Sequence, residues 1–433
     1  MVSGENGQIS KLMKDICIPS FYEVDFEVDS KIILDVEEET RNALLRRGTL
    51  ERVGPGDTVA VTAGSREISN IDRILKTLID LLKGRGAQPF IVPAMGSHAG
   101  ATAQGQKEMV EQFGITEERM RVPIRSSMQT KVIGKTGNGI EVHIDKEALQ
   151  ADHIIPVGRI KPHTDFKGKY ESGLMKMLAI GLGKQEGASI CHKLGMNQMS
   201  ENVYQIGRTV IGTGKVPFGV GIIENAFHGT WKIEAMPAEK IEQEEPLLLL
   251  EAKKLIPAIP FAKVDVIVCE QMGKDISGTG MDSNVIGRSA SLGISKPFAE
   301  RIGVLRLTQR SHGNANGVGL ADAITKRFYD SIQAEQTYPN AITSAETMAV
   351  KIPAVMNSDE LCVRFVIKTC TGCGKDGIRI VWIKDTLSLN HFHISEALFR
   401  EAETKAGIDI LPEKSCARFD KAGNFRGFDR YFR

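Results

Sequence analysis

The chain has almost no excess charge of either sign: 55 Lys and Arg stand against 54 Asp and Glu, a formal net charge of +1 over 433 residues. Such a balance creates no field that would recruit nucleic acid or an anionic membrane, so neither is expected as a partner. Long apolar runs are also missing. The densest, Leu247 to Leu250, is far too short to span a bilayer. The opening residues Met1 to Asn6 show no basic segment leading into an apolar stretch, and the chain reads as cytoplasmic. Seven cysteines, an odd number scattered from Cys17 to Cys416, do not form a disulfide framework and fit a reducing compartment. Low-complexity tracts and solenoid-type repeats are absent from the sequence as well.

What is present is ordinary globular composition, 42% hydrophobic and 25% charged, in a chain long enough for two or three domains. Asp57 to Ala63 is a β-branched apolar run, and Asn70 to Gly86 follows with apolar residues at helical spacing. The pattern repeats with a strand over Pro89 to Met95, a helix over Ala101 to Phe113, and a third strand over His153 to Val157. Such alternation predicts parallel βαβ units with right-handed crossovers. Two prolines within Leu255 to Pro260 follow the helical Ala238 to Lys254 segment and place a boundary there. Beyond it, strands are expected at Val264 to Cys269, Ile302 to Leu307, Cys362 to Lys368 and Arg379 to Ile383, with helices near Val318 to Ser331 and Ile394 to Lys405. The predicted fold class is α/β: two α/β domains with mostly parallel sheets, residues 1–257 and 258–433, and an active-site cleft between them that the second domain closes.

Ligands of open parallel sheets bind beyond the carboxyl ends of the strands, where helix N-termini offer free N–H groups. The first strand delivers Gly64-Ser65-Arg66 to that edge, the second Gly96-Ser97-His98, and the third Lys161-Pro162-His163. Alone, Arg66 reads equally as a surface cation or as a clamp for carboxylate or phosphate. One isolated histidine is usually structural, but His98 and His163 at matching loop positions could exchange general acid and base roles near neutrality. Lys176 is the one charge inside the glycine-punctuated Ser172 to Gly183 stretch. By spacing it reads first as a lysine laying its stem along an apolar surface, and otherwise as a desolvated, nucleophilic or modified amine. Cys191 and His192, as sequence neighbours, point in different directions and make a poor thiol-imidazole pair, so His192 reads better as a metal ligand.

The ordered set of GSR, GSHAGAT, KPH, a lysine within SGLMK and a later His-Lys resembles the nickel-dependent lactate racemase family, over about Val59 to Leu194. The resemblance implies a nickel-pincer nucleotide, pyridinium-3,5-bisthiocarboxylic acid mononucleotide nickel, tethered covalently to Lys176, with His192 as the nickel ligand. It implies His98 and His163 as the acid/base pair, Arg66 as the holder of a substrate carboxylate, and transient dealings with cofactor-biosynthesis proteins. The cofactor phosphate is expected on the N–H groups of Gly64 and Ser65. The implied activity is racemisation or epimerisation of a 2-hydroxy acid.

This sequence departs from the family pattern where Ala63 replaces an aspartate, where Ala99-Gly100 replaces Arg-Pro, and at an insertion around Asp165 to Lys169. Lys274, in the polar loop Gln271 to Asn284, is the candidate for the family's second-domain substrate lysine, with Asp275 and Asn284 as candidate hydroxyl contacts; ordinary turn chemistry explains the loop equally well. The changed pocket points to a sugar acid or other larger hydroxy acid. Two further readings remain open on sequence: a cofactor-free histidine lyase or dehydratase, and a ligand-binding relative without turnover. Cys370-Thr371-Gly372-Cys373, with His391 and His393 nearby, reads as free thiols in a turn rather than a metal site.

Overall fold

A computed structural model describes residues 7–430 apart from 66, 292, 373, 375 and 376. The chain divides into two units, one of residues 29–256 and one of residues 1–28 with 257–433. The opening segment carries strand β1 (Phe21–Phe26), which pairs antiparallel with strands near the far end of the chain. It therefore belongs to the second unit, not to a first domain of residues 1–257. Its buried Phe21 and Val24 pack into clusters built from residues beyond 258, which the local pattern FYEVDF does not reveal.

Within residues 29–256, β2 (Thr58–Ala63) and β3 (Gln88–Pro93) are fully parallel. Both read as continuous apolar runs because both faces are covered. The connecting Ile71–Gly84 helix buries Ile71, Ile74, Leu75, Leu78, Ile79 and Leu82, the stripe expected at a 3.6-residue period. A hairpin of β4 (Thr130–Lys135) and β5 (Glu141–Asp145) follows, then β6 (His153–Ile155), which lies parallel to β2. Pro156 interrupts the ladder, and the Val157 N–H is taken by the Thr62 hydroxyl at 2.9 Å. The chain so released forms β7 (Val157–Arg159), which pairs with β8 (Phe218–Glu224) and through it with β9 (Thr230–Pro237). Ala238–Leu255 closes the unit as one helix with Pro246 inside it.

In the other unit, β10 (Lys263–Met272), β11 (Phe298–Leu307), β12 (Ala323–Thr325), β13 (Ala354–Met356) and β14 (Ile380–Ile383) are mutually parallel. Next come β15 (His391–Ser395), β16 (Ile408–Phe419) and β17 (Phe425–Arg430). One nine-stranded sheet results, in the order β13-β12-β11-β10-β14-β15-β1-β16-β17. Its first half is parallel and its second half antiparallel, so the expectation of mostly parallel sheets holds for only part of it.

Three local expectations fail for identifiable reasons. Cys362 to Lys368 is not a strand but part of the Asp359–Lys368 helix. Ser358 caps it by accepting from Leu361 N–H at 3.2 Å, two acids occupy its first turn, and Cys362, Val363 and Val366 form one buried stripe. The helix expected at Val318 to Ser331 is split by β12 and survives only as Lys326–Asp330 after a short turn at Val318–Leu320. The one expected at Ile394 to Lys405 begins as β15 and is helical only over a few residues around Phe399–Ala402. Among the described residues, no helix is long and apolar enough to cross a membrane.

Candidate active site

The carboxyl ends of β2, β3 and β7 converge under one helical segment. It runs from the turn Leu174–Lys176 through a widened π-helical turn at Met177–Gly181 into the helix Lys184–Lys193. π-Helical turns are rare and occur often at functional sites. The approach leaves little room for a side chain on the strand ends. A Cβ on Gly64 would lie 3.1 Å from the Met177 Cε, and one on Gly158 only 3.3 Å from the same atom. On the β3 side, Gly96 N–H donates to the Gly181 carbonyl at 3.1 Å. The helical segment that carries Lys176 is thereby held against Gly64 and the loop leading to His98. Arg66 lies outside the described residues, and Ser65 beside it is half-buried.

His98 and His163 are fixed in complementary states. His98 Nδ1 lies 2.8 Å from the Met95 carbonyl, an acceptor only, so Nδ1 carries the proton and Nε2 is the basic nitrogen. At His163 the polarity is reversed: Asp165 N–H donates to Nδ1 at 3.0 Å, so the neutral ring carries its proton on Nε2. The His163 ring stacks on Phe166 at 4.2 Å between centroids. Phe166 in turn lies beneath the Lys176 ammonium, 5.7 Å from ring centre to Nζ. Asp165 and Phe166, from the segment around Asp165 to Lys169, thus directly shape the second histidine.

His192, in the last turn of the Lys184–Lys193 helix, is half-buried. Burial first, and then the Lys176 charge, hold its ring below the ordinary histidine range, so the neutral form that can ligate a metal is favoured. Its Nδ1 is buried without a hydrogen-bond partner among the described residues. Burial pushes the neighbouring Cys191 thiol up to about 12 despite the nearby Lys176 charge, which excludes a ready thiolate nucleophile.

Two buried carboxylates and one buried ion pair support this arrangement, and none of them was singled out from sequence. Glu171 accepts from the backbone N–H of His163 at 2.7 Å and from Lys253 Nζ at 2.7 Å, pinning the His163 loop. Glu245 accepts from Met175 N–H at 3.0 Å and so caps the turn that presents Lys176. Lys184, with no exposed surface, lies 3.1 Å from the equally buried Asp145 and donates to Gln106 Oε1 at 3.0 Å. Gln106 then donates to the Gly96 carbonyl at 2.9 Å, which steadies the backbone leading to His98. Charged residues become fully buried only when paired, so Lys184 was indistinguishable in sequence from a surface lysine.

Lys274 sits in the other unit. Its Nζ donates to the Gly278 carbonyl and its N–H to Ser311 Oγ at 2.8 Å, while Asn284 bonds to Asp282 at 2.8 Å. Turn chemistry thus accounts for much of the loop's polarity. Cys370 Sγ contacts the Val366 carbonyl at 3.2 Å, and Cys373 lies outside the described residues. Among the described residues, no group of three or more His, Cys, Asp or Glu could hold a metal ion.

These features define a class: an α/β protein that places two oppositely configured imidazoles in loops that follow the strands of parallel βαβ units, with a lysine and a third histidine on the helical segment packed against the strand ends. Comparison with known proteins narrows it. The family model described as the lactate racemase N-terminal domain matches residues 34–203. The structure of the lactate racemase apoprotein from Thermoanaerobacterium thermosaccharolyticum is similar with a TM-score of 0.54, covering 85% of this chain and 99% of that one at 15% identity. No curated protein matches. The chain is lactate-racemase-like, by its N-terminal domain and by its overall fold.

Proposed function

We propose that the protein is a racemase or epimerase of a 2-hydroxy acid, lactate-like or larger, that works with a nickel-pincer nucleotide. The observation that carries this reading is His192, a half-buried imidazole whose surroundings favour its neutral form, with no hydrogen-bond partner for Nδ1 among the described residues and Lys176 as its charged neighbour. The residues fit the group: imidazole is a good nickel ligand, and a lysine on a capped turn can serve as the tether. Lys176 and His192 would hold the cofactor, and Gly64 and Ser65 would offer backbone N–H groups to its phosphate. When bound, the cofactor supplies an acceptor for the hydrogen at the substrate Cα.

The remaining work falls to the protein. His98, through Nε2, takes the hydroxyl proton from one enantiomer and, as the imidazolium so formed, can return it, while the Nε2–H of neutral His163 donates a hydrogen bond to the substrate oxygen. For the other enantiomer His163 takes the proton, which requires its own proton to move to Nδ1 and the bond from Asp165 N–H to be given up. Arg66 is the proposed partner of the substrate carboxylate, as a bidentate fork.

Intact-mass spectrometry and nickel analysis on protein co-produced with the cofactor pathway test the reading, with Lys176→Ala as control. A cofactor-sized adduct with bound nickel, absent in the control, is the expected result. No adduct and no nickel, from a pathway shown to load a known racemase, would refute it. Turnover that then still depends on His98 and His163 would indicate cofactor-free acid/base chemistry.

A further inference from the structure

The parallel half of the nine-stranded sheet has its own ligand edge, apart from the site above. β10 is first in the chain, and β11, β12 and β13 extend the sheet from one side of it while β14 adds on the other. The strand order therefore reverses at β10, and in open α/β sheets small molecules bind beyond the carboxyl ends of the strands at such a point. A cavity of about 880 Å3 opens there, within the size range of small-molecule sites. Glu270 near the end of β10, Arg306 near the end of β11 and Arg327 just after β12 line it, and β17 contributes Arg426.

The lining is built to hold guanidinium groups. Asp359, with no exposed surface, begins the helix after β13; its Oδ2 accepts from Phe425 N–H at 2.8 Å, pairs with Arg327 and lies 3.6 Å from Arg306. The other oxygen of Asp359, Oδ1, is buried with no partner among the described residues. Arg426 is steered by two bonds to Asp420, at 3.0 and 2.6 Å. Among the described residues Arg306 donates one hydrogen bond, to the Phe425 carbonyl at 3.4 Å, although a guanidinium carries five N–H donors. The two carboxylates of the lining are engaged: Glu270 accepts from Trp382 Nε1 at 3.2 Å, and Glu23 lies 3.2 Å from His391. The lining therefore presents three positioned guanidinium groups, of which Arg306 is the least engaged among the described residues.

We propose that this cavity is a second binding site, for a small molecule bearing a carboxylate or phosphate group, gripped by Arg306 and Arg327 with Arg426 at the rim. Fork-shaped donors held by the buried Asp359 and the half-buried Asp420 match both anions, and their preorganisation lowers the ordering cost of binding.

Calorimetric titration of the full chain with inorganic phosphate, citrate and glucose 6-phosphate tests the site, together with hydrogen exchange on the saturated protein. At least one probe should bind with a Kd below about 1 mM. Arg306→Gln should weaken it by about tenfold or more, as removal of a charged hydrogen-bonding partner predicts. Lys176→Ala should bind as the unaltered protein does, separating this site from the one proposed for the cofactor. Preference for the two phosphates over citrate assigns the anion as phosphate, and the reverse assigns it as carboxylate. Exchange should slow around Arg306 and over Phe425–Phe428, a readout that holds even if a variant folds poorly. Absence of binding by all three probes, equal binding by Arg306→Gln, or protection confined to other strands would overturn the proposal.

Discussion

Glu245 offers the most quantitative test of how the catalytic turn is held. It is fully buried, its Oε2 accepts from Met175 N–H at 3.0 Å, and its Oε1 has no partner among the described residues. A Cβ on Gly173 would stand 2.3 Å from that Oε1, so the carboxyl is wedged directly under the turn. Burial raises its pKa from the ordinary 4.5 to about 7, against the opposing pull of the Met175 and Leu174 N–H groups. The native state thus holds the proton more tightly than the unfolded chain. The stabilisation is complete below about pH 4.5 and is lost as pH rises through about 7. At about 1.4 kcal/mol per pH unit, the gap amounts to about 3 kcal/mol.

Glu245→Gln removes the titration and keeps an acceptor of similar shape. The melting temperature of the unaltered protein should fall relative to that of the variant by about 6–12 °C between pH 4.5 and 8.5, at roughly 2–4 °C per kcal/mol for a unit of this size. The assay is thermal unfolding of both proteins in matched buffers, followed by circular dichroism. If the difference between the two stays constant across that range, Glu245 does not titrate in its burial site and the account of the turn is wrong.

Two further outcomes follow from the same physics. Replacement of Lys184 by Met should cost about 3–5 kcal/mol in urea unfolding, because it leaves Asp145 charged and unpaired in the interior, and Lys184→Met with Asp145→Asn should recover more than half of that; an additive double variant would show that the two residues do not act as a pair. The His192 ring should titrate below the ordinary 6.5 in an NMR pH series, so its contribution to stability is present above that pH and lost as pH falls. Lys176→Ala should move the midpoint upward, and an unmoved midpoint would remove the lysine from the list of causes.

The candidate site was legible in sequence where chemistry and topology coincide. His98, His163 and Lys176 follow glycine-containing turns or stretches at the ends of apolar runs, and such runs in a parallel sheet are easy to see. Their supports were not legible. Glu171, Glu245 and the Lys184–Asp145 pair are charges whose burial depends on partners 70 to 82 residues away for the two glutamates, a distance no local window spans. In the second unit, the parallel strands announced themselves as Val- and Ile-rich segments. The antiparallel half did not, because strands such as FYEVDF and HFHIS mix charge and aromatics on half-covered faces. Cys362 to Lys368 misled for the opposite reason: β-branched residues favour strands, but a Ser cap, two leading acids and a one-sided stripe won.

The placement of β1 also governs when each unit can be completed. Ser415 Oγ donates to the Phe21 carbonyl across 394 residues, at 3.3 Å. As the chain emerges during synthesis, residues 29–256 have all their strand partners at hand and can close on themselves. The strand already made, with its apolar Phe21 and Val24, must wait with an unpaired edge until β15 and β16 arrive to flank it. The lactate-racemase-like unit is thus an insertion in another unit's sheet, finished early inside a fold that closes only when its last strands are made.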